Sequence, residues 1–133
     1  MSDQSNDLSP VGWYVGSYQL RFVELEEAGN DDPRGEFLVW ENTVIVKADS
    51  FEQAYEKVVA IGVDATEPYR GGESGIPVQW LFEGVTELLP IHDPLEDGAE
   101  IMWAELPSVE LARVRLRAKS LEELRQHLDK DAQ

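Results

Sequence analysis

The sequence predicts an α+β fold: an antiparallel sheet of about five strands, in the order β-β-α-β-β-β-α, with helices packed on one face. Three observations carry this expectation. Apolar residues alternate with a period of two around residues 13–25 and 78–91, and residues 37–48 form an apolar, β-branched run. One stretch, after Asp49-Ser50, switches to the helical period. Breaks rich in Gly, Pro, Asn and Asp separate the alternating runs, so neighbouring strands are free to pair as hairpins.

The elements follow in order. From Trp13 to Leu25, Tyr14, Tyr18, Leu20 and Phe22 share one parity, and Ser17, Gln19 and Arg21 the other, as in a half-buried strand. Glu26 to Gly35 is a turn-rich break. Phe37 to Ala48 is a second strand with Val44, Ile45 and Val46 at its heart, so the pair forms a hairpin with a long acidic tip. Ser50 is a good helix N-cap, and Gln53 completes a capping box. Phe51, Ala54, Tyr55, Val58 and Val59 make one apolar face, and Gly62 sits where a left-handed C-terminal residue is expected. Asp64 to Pro77 reads as a long polar loop, a kind of segment that often carries function. Val78 to Ile91 is a strand whose apolar parity switches at Gly84, from Val78, Trp80 and Phe82 to Val85, Leu89 and Ile91. A switch at a glycine suggests a β-bulge. His92 to Gly98 turns the chain, and Ala99 to Leu106 returns as a strand ended by Pro107.

Residues 108–118 could be helix or strand. The strand is preferred because Val44 to Glu52 is echoed by Val114 to Glu122, with Val, Ala, Ser and Glu at equivalent places. The first copy reads strand, cap, helix. In the second, Ser120 and Glu123 repeat the capping box, and Leu121, Leu124 and Leu128 supply the apolar stripe.

A chain of 133 residues fits one domain of ordinary size. Residues 1–10 are expected to be a disordered tail and residues 11–133 a single α+β domain. The chain has no cysteine, which removes disulfide frameworks, thiolate metal sites and cysteine nucleophiles. The N-terminus lacks a basic start and an apolar stretch, so it does not read as a signal peptide and the expected compartment is the cytoplasm. The net charge is −16, from 27 acids and 11 bases. Nucleic acid and anionic membranes would be repelled, and a basic protein attracted. The charge is uneven. Residues 1–112 hold five bases and 23 acids, and the remaining 21 residues six bases and four acids. The C-terminal piece is therefore expected to dock on the acidic body.

No catalytic motif stands out. The two histidines, His92 and His127, lie in an acidic turn and on a terminal helix, and no nucleophile elbow is present. His92, Asp93, Glu96 and Asp97 have the ligand chemistry for a divalent metal, but Asp93-Pro94 and Asp97-Gly98 are also ordinary turn formers, and no metal site is assigned. Gly71 to Gly75 lacks the lysine of a phosphate cradle, so no cofactor is assigned. Arg70 and a ladder of Arg113, Arg115 and Arg117 on one strand face are the candidate anion-binding residues. The plainer reading pairs that ladder with Glu83, Glu87 or Glu105. Trp13, Trp40, Trp80 and Trp103 fall in predicted strands, as core residues or as the lining of an aromatic pocket or interface.

Taken together, several residues resemble a small bacterial family, domain of unknown function 4288. They are Trp13-Tyr14, Lys47-Ala48-Asp49-Ser50 with Glu52 and Ala54, then Gly62, Val78, Trp80, Phe82, Gly84-Val85, and the turn Leu95 to Glu100. The resemblance spans about residues 13–106, leaving 107–133 as a C-terminal extension. It implies a shared fold and no activity. The functional expectation is a small acidic protein-binding module, an inhibitor or immunity-like protein for a basic partner. Glu26, Glu27, Asp31 and Asp32 at the hairpin tip, with Asp93, Glu96 and Asp97 in the turn, would contact that partner. A small-ligand or enzymatic domain using the 64–77 loop, and a homodimer or larger homo-oligomer joined at sheet edges, are the alternatives.

Overall fold

A computed structural model describes residues 6–72 and 75–131. The chain divides into two compact units, residues 1–102 and 103–133. The division falls close to residue 106, where the family resemblance ends.

The first unit is one antiparallel sheet with one helix. Its elements are β1 (Trp13–Glu24), β2 (Val39–Lys47), α1 (Phe51–Asp64), β3 (Tyr69–Gly71) and β4 (Ile76–Pro90). The strand order is β2-β1-β4-β3. β1 is central and pairs with β2 without interruption, from Trp13 opposite Lys47 to Arg21 opposite Val39. Against β4 the register slips: Ser17 faces Glu87, Tyr18 faces Val85 and Leu20 faces Phe82. Gly84 lies in this irregularity with φ +101°, a conformation glycine adopts readily. The bulge expected there is present.

Two expected elements differ. Ala99 to Leu106 forms no strand, so the sheet has four strands rather than about five. An apolar run suits a strand but does not supply a ladder partner, and neither outer strand, β2 or β3, pairs with this segment. Instead, part of the expected 64–77 loop becomes β3, a three-residue strand that pairs antiparallel with β4.

The core joins Tyr14, Tyr18 and Leu20 of β1 to Val46 and Ala48 and to Ala54 and Val58 of α1. The buried stripe of α1 is Ala54, Val58 and Gly62. It is narrower than predicted, because Tyr55 is exposed. Gly62 is not the left-handed terminator: the helix continues past it to Asp64. Its role is close approach. A side-chain carbon at Gly62 would lie 2.5 Å from the Phe82 ring and 3.1 Å from Tyr18. Across the same interface, a carbon at Gly16 would lie 2.6 Å from Val58. Missing side chains on both partners let helix and sheet meet.

The segment before β1 is tied down from Ser9, where a disordered tail to residue 10 was expected. The Ser9 hydroxyl donates to the Ile91 carbonyl and accepts from the Val11 and Trp13 amides, while the Ser9 amide donates to the Tyr14 hydroxyl. Residues 1–5 lie outside the described residues.

The second unit holds α2 (Leu111–Arg117) and α3 (Leu121–Asp131). Residues 111–117 are therefore helix, not the preferred strand. The echo of Val44-Ile45-Val46 reads Val114-Arg115-Leu116, and Arg and Leu are good helix formers where Ile and Val favour strands. The capping box at Ser120 forms as expected: the Glu123 amide donates to Ser120 Oγ, and the Ser120 amide to Glu123 Oε1.

Candidate functional site

The two faces of the sheet carry different chemistry. Gly16 faces α1, so its parity on β1 (Tyr14, Tyr18, Leu20, Phe22) marks the helix face. The register extends that face across the sheet. Trp40 lies opposite Leu20, Trp80 opposite Phe22, and Tyr69 opposite Val78. At this end of the sheet, rings replace aliphatic core. Trp80 sits edge-on to Phe22 at 5.1 Å and tilted to Trp40 at 4.9 Å between centroids. The Trp80 indole N–H donates to the Tyr69 hydroxyl at 3.2 Å. Trp40 is 54% exposed and Tyr69 46%. Leu38, of the same parity as Trp40, is also exposed. The result is a platform of contiguous rings with one buried edge and one wet edge. Trp13 is half-buried at the other end of β1, and Trp103 is exposed outside any strand.

On the opposite face, the β1–β2 loop folds over the sheet and is held by Arg21. Its Nε donates to Glu83 Oε2 at 2.8 Å, Nη1 donates to the Asn30 carbonyl, and the guanidinium lies 4.6 Å from the Phe37 ring centroid. Asn30 Nδ2 donates to the Glu24 carbonyl, and Gln19 Nε2 to the Glu83 carbonyl. A cavity of about 560 Å³ opens here, lined by Gln19, Arg21, Asn30, Asp31, Asp32 and Glu83 among others.

The acidic residues expected to form one partner surface are split. Glu26, Glu27, Asp31 and Asp32 follow the end of β1. Asp93, Glu96 and Asp97 follow Ile91, whose amide bonds to Trp13 at the start of β1. Some ten residues of strand separate the two groups, roughly 33 Å. Several also serve their own loops. Asp32 accepts from the Arg34 amide, Asp93 accepts from the Glu100 amide, and Gly98 takes φ +85° in the turn.

The basic candidates are likewise redistributed. Arg70 Nη1 donates to the Gly75 carbonyl at 2.9 Å and clasps the β3–β4 hairpin. Arg113, Arg115 and Arg117 make no strand ladder because they lie on α2. Four residues apart, Arg113 and Arg117 share one helix face, while Arg115 points about 200° away. Arg113 and Arg117 line an open hollow of about 780 Å³ with Leu106, Val109 and Leu116. Glu83, one expected partner of that ladder, is paired with Arg21 instead.

Among the described residues no group of three His, Asp or Glu side chains is placed to hold a metal ion. No helix among them is long and apolar enough to cross a membrane. Tyr69 and Arg21 are the residues the sequence reading underrated. Arg21 carried one signal, a lone base on the polar parity of a strand facing an acidic loop. Tyr69 carried none short of knowing that β3 pairs with β4.

The family model described as Domain of unknown function (DUF4288) matches residues 13–103. No curated protein and no solved structure matches the chain.

Proposed function

The chain belongs to the domain of unknown function 4288 family, and we propose that it is a protein-binding module that captures a basic partner on its aromatic platform, in the manner of an inhibitor or immunity protein. The observation that carries this reading is the pair of exposed rings, Trp40 and Tyr69, held by half-buried Trp80 and Phe22 behind them. Large rings held rigid by one another bind at low entropic cost, and tryptophan and tyrosine dominate interface hot spots. Their faces also attract arginine and lysine through the ring quadrupole. The surrounding charge selects the same partners, since residues 1–102 carry five bases against 21 acids.

The test is capture from a lysate of the source organism on the immobilised full chain, at about 0.1 M and about 1 M salt. The expected result is one basic protein, retained at low salt, weakened at high salt and lost with Trp40→Ala. Capture that is indifferent to Trp40→Ala, or that recovers only acidic proteins, would overturn the reading.

The cavity under the β1–β2 loop supports a second reading, a small polar ligand site. Its volume is in the usual range for such sites. Against this, Glu83 and the Asn30 carbonyl already engage Arg21, so the group best suited to an anion is used in holding the loop.

A further inference from the structure

We propose that the chain forms a homodimer by antiparallel pairing of β2 with β2 of a second copy, about a two-fold axis at Val44. β2 is an outer strand of the sheet. The Phe22 amide donates to the Leu38 carbonyl, and the Ala48 amide to the Gly12 carbonyl. Even-numbered residues of β2 therefore turn their backbone groups toward β1. Val39, Glu41, Thr43, Ile45 and Lys47 turn theirs outward. Natural edge strands are usually blunted by proline, a bulge, short length or charged side chains. β2 is nine residues long, free of Pro and Gly, and in unbroken register with β1, so Glu41 and Lys47 are the blunting groups it carries.

The charge pattern of the edge selects a second copy as its occupant. Two outward-facing residues must meet for the strands to exchange hydrogen bonds. A two-fold axis at Val44 satisfies this and sets Glu41 opposite Lys47 twice and Thr43 opposite Ile45 twice. Opposite charges in cross-strand positions are favourable. Moving the axis to Ile45 sets Glu41 against Asp49, a like-charge pair, and moving it to Thr43 sets Glu41 against Ile45 and Lys47 against Val39. Only the Val44 register joins the charges among these three. Two adjustments are needed. Glu41 Oε2 accepts from Thr86 Oγ1, so the carboxylate has to meet the second copy's Lys47 with its other oxygen or turn away from Thr86. The Lys47 carbonyl accepts from Lys57 Nζ and has to share its second lone pair with the incoming Glu41 amide.

The test uses the full chain, which contains no cysteine. Sedimentation equilibrium is expected to show a dimer. Glu41→Lys and Lys47→Glu each set like charges opposite and should weaken it by about tenfold, and the double swap should restore it. Val44→Cys places two thiols across the axis at a non-hydrogen-bonded pair, roughly 4.5 Å between Cα atoms, and should form an interchain disulfide under oxidation. Ile45→Cys should not. A monomer throughout the concentration range, a dimer indifferent to both charge reversals, or crosslinking of Ile45→Cys as fast as Val44→Cys would overturn the proposal.

Discussion

Val44 to Glu52 and Val114 to Glu122 are near copies in sequence, yet one runs as strand, cap and helix and the other as helix, cap and helix. The caps are the part that stays the same. Ser50 Oγ accepts from the Gln53 amide as Ser120 Oγ accepts from the Glu123 amide. A cap is built within four residues, so a local pattern specifies it. The rest of each copy depends on what lies beside it. Val46 enters the core next to Tyr14, and α1 buries Ala54, Val58 and Gly62. In the second unit every described side chain is exposed or half-buried, including Leu121, Leu124 and Leu128 of α3. The same motif thus acts as a core element in one place and as a surface helix in the other.

The largest expected effect lies where the two copies differ most. Gly62→Val drives a side chain into Phe82 and Tyr18, and α1 cannot withdraw without opening Val58 from Gly16. Overpacking of this kind costs about 2–3 kcal/mol. Urea unfolding followed by tryptophan fluorescence should show it as a lower midpoint. Leu124→Ala on α3 removes a half-exposed side chain and should move the same midpoint by under about 0.5 kcal/mol. Equal losses from both would mean that α3 is as much a core element as α1, and the contrast would fail.

A smaller effect sharpens the part the copies share. Ser50→Ala removes the acceptor for the Gln53 amide at the start of a packed helix, at about 1 kcal/mol in global stability. Ser120→Ala removes the matching bond on α3. It should fray residues 121–124, read from backbone chemical shifts, with little change in the urea midpoint. A large midpoint change for Ser120→Ala would show that the unfolding of the two units is coupled.

The pattern of success in the sequence follows the range of each interaction. The capping boxes, the β1–β2 hairpin and the Gly84 bulge were legible because each depends on residues near in sequence or on a parity change along one strand. Ala99 to Leu106 differs from its expectation because an apolar run says only that a strand is suitable, while pairing depends on residues distant in sequence. Residues 111–117 differ from the strand their echo suggests because Arg115 and Leu116, which favour helix, stand where Ile45 and Val46 stand in β2. The aromatic platform was half legible: Trp40, Trp80 and Phe22 were placed on strands. Their convergence needed the register, which also splits the acidic tip from the acidic turn. Gly62 shows the same limit from another side. A glycine near a helix end reads as a terminator, and the Phe82 ring that requires its bareness comes from twenty residues later.

The smallest expected effect separates the two caps by charge. α1 closes its box with Gln53, whose Oε1 accepts from the Asp49 amide, while α3 closes its box with Glu123. The Ser120 backbone amide, and then the Ser120 hydroxyl, hold the Glu123 carboxyl below its usual value of 4.5, with a weaker contribution from Lys119. A carboxylate whose folded value is lowered stabilises the folded cap above its unfolded value, and that help is lost as pH falls through the lowered one. Acidification should therefore loosen the first turn of α3 while leaving that of α1, whose capping group is neutral, in place. Chemical shifts of residues 51–54 and 121–124, followed from neutral pH to below 4.5, measure both in one titration. Glu123→Gln turns the second box into a copy of the first, so the acid-dependent fraying should disappear. If the variant frays with acid as the parent does, the loosening comes from elsewhere, with Glu122 in the same turn the next group to replace.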